Sequence, residues 1–276
     1  MLKNKWIKRI VNIISIFLAV LLIIMLANVF AQNVVAHIEK PFTPQYERVT
    51  LTEETDYETI FLQTGLGKAA AEELINEGRF DKILEAQELF FANDKIECIP
   101  LIKWFTREER LKNELIPFYD LQPGDILVTL STHTFGWRHG HCAIVIDDFT
   151  TVESISMGEN ASKGYIRYWQ DYSNFAVLRV KNKTIEERQA VAKFTIDKLL
   201  DKPYSIFSGL GFKKVPDVDS KGFSLHCSYL VWYAWNNFGV DLDSDKGRLA
   251  TSFDILNSDK VEIVQLYGMD PNEFLK

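Results

Sequence analysis

Hydrophobic positions along the chain fall into three textures. From Ile10 to Ala31 they run unbroken, "IVNIISIFLAVLLIIMLANVFA", 22 residues without a charge. At 1.5 Å per residue that is roughly 33 Å of helix, enough to cross a hydrocarbon core of about 30 Å. Between residues 51 and 117 the apolar positions recur at helical spacing. "TGLGKAAAEELINEGRF" is rich in Ala and Glu, and "DKILEAQELFFAND" sets Ile83, Leu84, Ala86, Leu89 and Phe90 on one stripe. "TREERLKNEL" opens with Thr106 and carries Glu109 three later, the spacing of a capping box, which predicts a further helix. Residues 32–50, with Pro41 and Pro44, show no period and read as a linker. From Leu121 onward strand spacing takes over. The Pro123-Gly124 turn leads into a strand over Ile126–Leu130. "GHCAIVID" and "TTVESIS" predict two strands joined through Asp147-Asp148, "NFAVLRVK" a fourth and "KVEIVQLYG" a last. Two helices interrupt them: "TIEERQAVAKFTIDKLL", capped by Thr184 with Glu187, and "CSYLVWYAWNNFG", ended by Gly239. Clustered strands with flanking helices predict an α+β fold, an antiparallel sheet packed on helices.

Charge refines this organisation. Lys3, Lys5, Lys8 and Arg9 precede the apolar run, and only Lys40 falls in the fifteen residues after Gln32. The positive-inside rule then places residues 1–9 in the cytoplasm and 32–276 outside. "VFA" before Gln32 also fits a signal-peptide cleavage site, but the run exceeds the usual 7–15-residue signal core, so a retained transmembrane anchor is expected. Either reading exports the rest. The expected domains are 1–31 as tip and anchor, 32–50 as linker, 51–117 as a helical subdomain and 118–276 as the α+β domain. The net charge of −7 disfavours nucleic-acid binding, despite a faint likeness of "GLGKAAAEEL" to a helix-hairpin-helix motif. "DLDSDKG" begins like a calcium loop, yet Lys246 stands where the loop needs Gly and Ser252 where it needs Glu.

The chemistry centres on the cysteines. Cys98, Cys142 and Cys227 are odd in number, which leaves at least one thiol free. Alternation along "GHCAIVID" puts His141, Ala143 and Val145 on one face and Cys142, Ile144 and Ile146 on the other. The adjacent His141 and Cys142 therefore point apart, and Cys142 reads as a small buried hydrophobe. His139 and His141 form a metal clamp only if they share a face, which the intervening Gly140 opposes; further ligands are also missing. His133 reads as a polar loop residue. Cys227 opens an apolar helix, where unpaired backbone N–H groups and the helix dipole favour thiolate and can stabilise an oxyanion. His226, its neighbour, diverges by about 100° on a helix and is a poor base, leaving it as a flanking or oxyanion-side group. His141 is the candidate base and Glu153 its orienting partner. A two-residue turn at Asp147-Asp148 sets Cys142 opposite Glu153, whereas a longer loop or a bulge sets His141 there; the sequence leaves both open.

The ordered set "LQPGDILVTL", "RHGHCAIVID", "TVESIS" and "HCSYLVWYAW" resembles the NlpC-type cysteine hydrolases, in their permuted papain-like, YiiX/YebB-like branch, over about residues 118–268. The resemblance implies a permuted papain-like fold and a thiol-hydrolase mechanism through a thioester. It implies Cys227 as nucleophile, His141 as base and Glu153 as third residue, with no metal and no cofactor. Implied substrates are amide bonds of cell-wall peptides, or acyl-lipid and acyl-amide bonds as in some relatives. The pattern departs at Cys227-Ser228-Tyr229, where the branch often has Cys-Ser-Glu, and at Pro203-Tyr204-Ser205, where it often has Pro-Tyr-Asp. The expected function is a membrane-anchored cysteine peptidase or amidase facing the cell wall. The alternatives are a lipid-directed acyl hydrolase or acyltransferase, with Tyr229, Trp232, Tyr233 and Trp235 lining an apolar groove, or a catalytically retired binding domain.

Overall fold

A computed structural model describes residues 2–34, 42–100, 106–134, 137–209, 215–247 and 249–275. The first helix, α1 (Leu2–Val34), contains an unburied stretch, Lys5–Leu26, that is long and apolar enough to cross a membrane. Part of the expected linker, including Pro41, lies outside the described residues.

Three short helices follow: α2 (Tyr57–Thr64), α3 (Lys68–Asn76) and α4 (Phe80–Phe91). They are succeeded by a hairpin, β1 (Ile96–Pro100) and β2 (Thr106–Leu111). The helix expected from "TREERLKNEL" is thus a strand over its first six residues. The capping-box spacing is coincidental, since the Thr106 hydroxyl bonds Thr134 across the sheet, 3.0 Å away. The charges that look like a solvated helical face are consumed inside. Glu108 and Glu109 are both buried, the first held by Arg110 and Tyr172, the second by Arg138.

The rest of the chain supplies β3 (Ile126–Thr129), β4 (Thr132–Thr134), β5 (Trp137–Arg138), β6 (His141–Asp147), β7 (Thr150–Glu153), β8 (Ser162–Tyr165), β9 (Phe175–Val180) and β10 (Val261–Tyr267), with α5 (Ile185–Phe194), α6 (Cys227–Asn236) and α7 (Ser252–Leu256). The central sheet runs β10-β9-β3-β6-β7-β8, antiparallel at each pairing, and a second sheet runs β1-β2-β4-β5. The molecule is α+β, with antiparallel sheets packed against helices. The alternation read from "GHCAIVID" is realised physically. Cys142, Ile144 and Ile146 pack with Leu230, Val231, Ala234 and Trp235 of α6 and Val191 of α5. Ala143 and Val145 face the other way, toward Ile60, Leu74 and Ile83 of α2–α4. The segment over 51–117 therefore shares a core with the sheet, and helices cover both sheet faces.

Two sequence motifs are absorbed by this packing. "GLG" at 65–67 runs along the edge of β10: Gly67 N–H donates to Val264 O at 2.9 Å and Leu266 N–H to Gly65 O at 2.7 Å. A Cβ on Gly65 would lie 2.0 Å from Leu266 O, and one on Gly67 1.7 Å from Ile263 O, so only glycine permits this covering of an exposed strand edge. In "PGD", Asp125 is fully buried and takes both Nε and Nη2 of Arg179, at 2.9 and 2.7 Å, while Asp120 takes Nη1 at 2.8 Å. Burial pushes the Asp125 carboxyl up to about 6, against the pull of Arg179. Its part is to tie β3 to β9.

Candidate active site

The site forms where the start of β6, the end of β7 and the start of α6 meet. Gly140, at φ 70°, turns the chain into β6, so His139 and His141 do not continue one strand face. His139 is occupied elsewhere: Nε2 lies 3.0 Å from Thr134 Oγ1 and Nδ1 2.8 Å from Gly140 O. The two-histidine metal clamp is not assembled.

His141 and Glu153 meet directly, with Nε2 2.8 Å from Oε2 and both residues buried. They do so by a register that neither sequence alternative described. The β6–β7 turn is Asp148-Phe149, one residue later than expected, and a bulge follows between Val145 and Asp147. Ile144 pairs with Val152, so continuing the register sets Ala143 across from Glu153. His141 lies one diagonal step along the same face, within reach of a long side chain. The second oxygen of Glu153 accepts from Thr151 Oγ1 at 2.5 Å and from the Trp169 indole N–H at 3.0 Å. Trp169 also stacks on the His141 ring, centroids 5.4 Å apart and planes 18° from parallel.

Cys227 is the first residue of α6, and Ser154, directly after Glu153, donates to Leu225 O at 3.3 Å, tying the end of β7 to this helix start. The N–H groups of a helix's first turn have no intrahelical acceptor, so those of Cys227 and Ser228 are available to an oxyanion. His226 is the N-cap: its Nδ1 accepts from Tyr229 N–H at 3.2 Å while Nε2 meets Ser208 O at 3.1 Å. One nitrogen must donate and the other accept, which fixes the Nε2–H tautomer and leaves His226 unsuited to be the base. Sequence reasoning missed this cap, although a polar residue just before the first turn is the signal to look for.

Electrostatics complete the constellation. Burial raises the Cys227 pKa, but the interaction with His141 outweighs it and holds the thiol well below its ordinary value. Burial lowers the His141 pKa, but bonding to Cys227 and Glu153 wins and lifts it to about 10. Burial raises the Glu153 pKa, and His141, Thr151 and Trp169 together bring it below the ordinary value. These opposed shifts favour a thiolate beside an imidazolium, steadied by a buried carboxylate. Because Nε2 serves Glu153, Nδ1 is the nitrogen left for the thiol. Cys142, fully buried beneath α6, has its pKa driven far up by that burial and is inert.

Two other groupings of polar side chains occur among the described residues. His133 is no loop residue but lies buried on β4, 3.7 Å from Cys98 Sγ and 3.9 Å from Glu109. Asp243, Asp245 and Asp254 cluster after α6. Asp254, however, spends its oxygens on the α7 capping box with Thr251 and on Ser244. Of the aromatics expected to line a groove, Tyr229, Tyr233 and Trp235 are buried in the core and Trp232 bonds Asp241 at 2.8 Å.

No family model and no curated protein matches this chain. Among solved structures, the metalloprotein YiiX of Escherichia coli O157:H7 aligns over 52% of this chain and 96% of that one, at 16% identity and a TM-score of 0.39. A superposition that loose identifies neither fold nor chemistry.

Proposed function

We propose that this chain is a membrane-anchored cysteine hydrolase of permuted papain-like fold, its catalytic domain outside the cytoplasm, cleaving amide bonds of cell-wall peptides. The observation that carries the reading is the buried His141–Glu153 hydrogen bond set beside the start of α6, where Cys227 is the first residue and its pKa is lowered chiefly through His141. The anchor rests on α1 and the charges that precede it.

The chemistry follows from the resting charges. The Cys227 thiolate attacks the amide carbon, forming a C–S bond and an oxyanion that faces the helix N–H groups. The oxyanion collapses, the C–N bond breaks, and the leaving nitrogen takes the Nδ1 proton of His141. Neutral His141 then takes a proton from water as it attacks the thioester. The C–S bond breaks, releasing the carboxylic acid and restoring the thiolate–imidazolium pair. Glu153 stays ionised throughout and holds the Nε2 proton in place.

The test is to incubate the full chain with purified wall peptides and, separately, with N-acyl lipids, alongside Cys227→Ala. Mass spectrometry should find new peptide carboxyl and amino ends, absent from the variant. Release of fatty acid alone would transfer the same mechanism to a lipid-directed acyl hydrolase. Turnover of neither substrate, with an unreactive Cys227, would establish a retired domain.

A further inference from the structure

Resting on that reading, the geometry points to Trp169 as a positioning residue of the reaction, acting with Thr151 and Gly164. We infer that its indole N–H pins one oxygen of Glu153 while its ring holds the His141 imidazole flat, so that Nε2 stays on Glu153 and Nδ1 on Cys227.

A buried carboxylate is costly unless its lone pairs are satisfied. Here Oε2 of Glu153 is given to His141, and Oε1 is filled by Thr151 and Trp169. With Oε1 held from two sides the carboxylate cannot rotate, so Oε2 always meets Nε2. The imidazole alone has freedom about its own side-chain bonds, and the near-parallel Trp169 ring removes it. Trp169 is in turn fixed, being 1% exposed and edge-packed against Tyr172 at 5.2 Å. Gly164 makes the room. It pairs with Thr151 across β7–β8, and a Cβ there would fall 2.0 Å from Glu153 Oε1 and 2.6 Å from Thr151 Oγ1. A side chain at 164 would therefore evict the carboxylate from its seat. Thr151 and Trp169 bond Glu153 and Trp169 stacks on His141, so their effect on reactivity passes through Glu153 and His141.

The experiment is the pH profile of Cys227 alkylation by iodoacetamide in the full chain, held in detergent micelles, followed by mass spectrometry with Cys98 as internal reference. Trp169→Phe keeps the stack and removes the N–H. Thr151→Val removes the other donor with little change of volume, and serves if the first variant folds poorly. Gly164→Ala crowds the seat directly. Each should move the onset of Cys227 labelling upward by about one pH unit, roughly tenfold slower labelling on the acid limb, because a hydrogen bond to an ionised group is worth about a pKa unit or more. The Cys98 profile should stay where it is. If the wild-type profile begins well below that of an ordinary thiol and the three variants superimpose on it, Trp169 is merely packing and the inference falls alone. If the wild type titrates like an ordinary thiol, near pH 8.5, the nucleophile assignment itself falls, and the positioning role with it.

Discussion

Among the described residues, two groupings of cysteine, histidine and glutamate stand out, and they behave in opposite ways. In one, Cys227, His141 and Glu153 sit where α6, β6 and β7 converge. In the other, Cys98, His133 and Glu109 lie on the sheet β1-β2-β4-β5, with Cys98 paired directly opposite Glu109. Proximity alone does not mark a nucleophile, for His133 Nε2 stands 3.7 Å from Cys98 Sγ. What differs is the disposition of charge. Glu109 accepts both Nη1 and Nη2 of Arg138, at 3.0 and 2.5 Å, so its charge is spent on the guanidinium. Glu153 has no such cation and places its charge on His141. Cys98 lies mid-strand, where no free N–H groups converge, and burial raises its pKa despite the nearby arginines. Cys227 opens a helix, and its pKa falls. The same residue types make a nucleophile only where a thiolate is stabilised and where one imidazole is shared between thiol and carboxylate.

The largest expected effect is at Cys227, the proposed nucleophile. Cys227→Ala should abolish hydrolysis, on the order of 10^3-fold or more, because nothing else supplies the thioester. Residual turnover within tenfold of wild type would move the chemistry to another thiol.

How far this pairing was legible in the sequence depended on the kind of signal. Strand parity separated His141 from Cys142, and helix position marked Cys227, since both are local periodicities. Glu153 was legible as the candidate partner of His141, but the register that joins them was not, because it depends on a bulge that no residue type announces. Trp169 sits on a short 3-10 turn, Ile166–Trp169, with no period to place it against β6. The β1–β2 hairpin was misread for a deeper reason. Its alternating charges are paired through tertiary contacts to Arg138, Asp171 and Tyr172, which a window along the chain does not see.

Next in size is His141, the proposed base. His141→Ala should slow Cys227 alkylation at pH 6 by about 100-fold and return its profile toward that of a free thiol. The sign follows from the shifts. Cys227, lowered, keeps its thiolate above its own pKa and loses it as pH falls through that value. His141, raised, keeps its proton until pH climbs through about 10. Hydrolysis, which needs both, should be bell-shaped in pH, while alkylation in the wild type shows only the acid limb. If the alanine variant keeps the wild-type profile, the α6 terminus alone activates the thiol.

A smaller, differently directed effect is expected from Glu109→Gln. It leaves Arg138 without a carboxylate and removes an acceptor from Ser173, costing about 1–2 kcal/mol of stability after allowance for the partial exposure of Arg138. Denaturant unfolding should register that loss while Cys227 alkylation keeps its profile. A shift of the Cys227 profile in this variant would mean that the two groupings are coupled, through the chain of Glu108, Tyr172 and Trp169 that lies between them.

The smallest effect is the sharpest test of the contrast. Cys98→Ala removes a thiol with a histidine in contact and a glutamate opposite, the surroundings by which a nucleophile is usually recognised. If residue type and proximity were sufficient, the substitution would cost activity. The disposition of charge predicts the opposite. A thiol whose pKa is raised stays protonated at neutral pH and neither attacks a carbonyl nor competes for substrate. Hydrolysis should therefore stay within about twofold of wild type, the range expected of a substitution remote from the chemistry. A larger fall, with folding intact by circular dichroism, would show that the sheet β1-β2-β4-β5 takes part in the reaction after all.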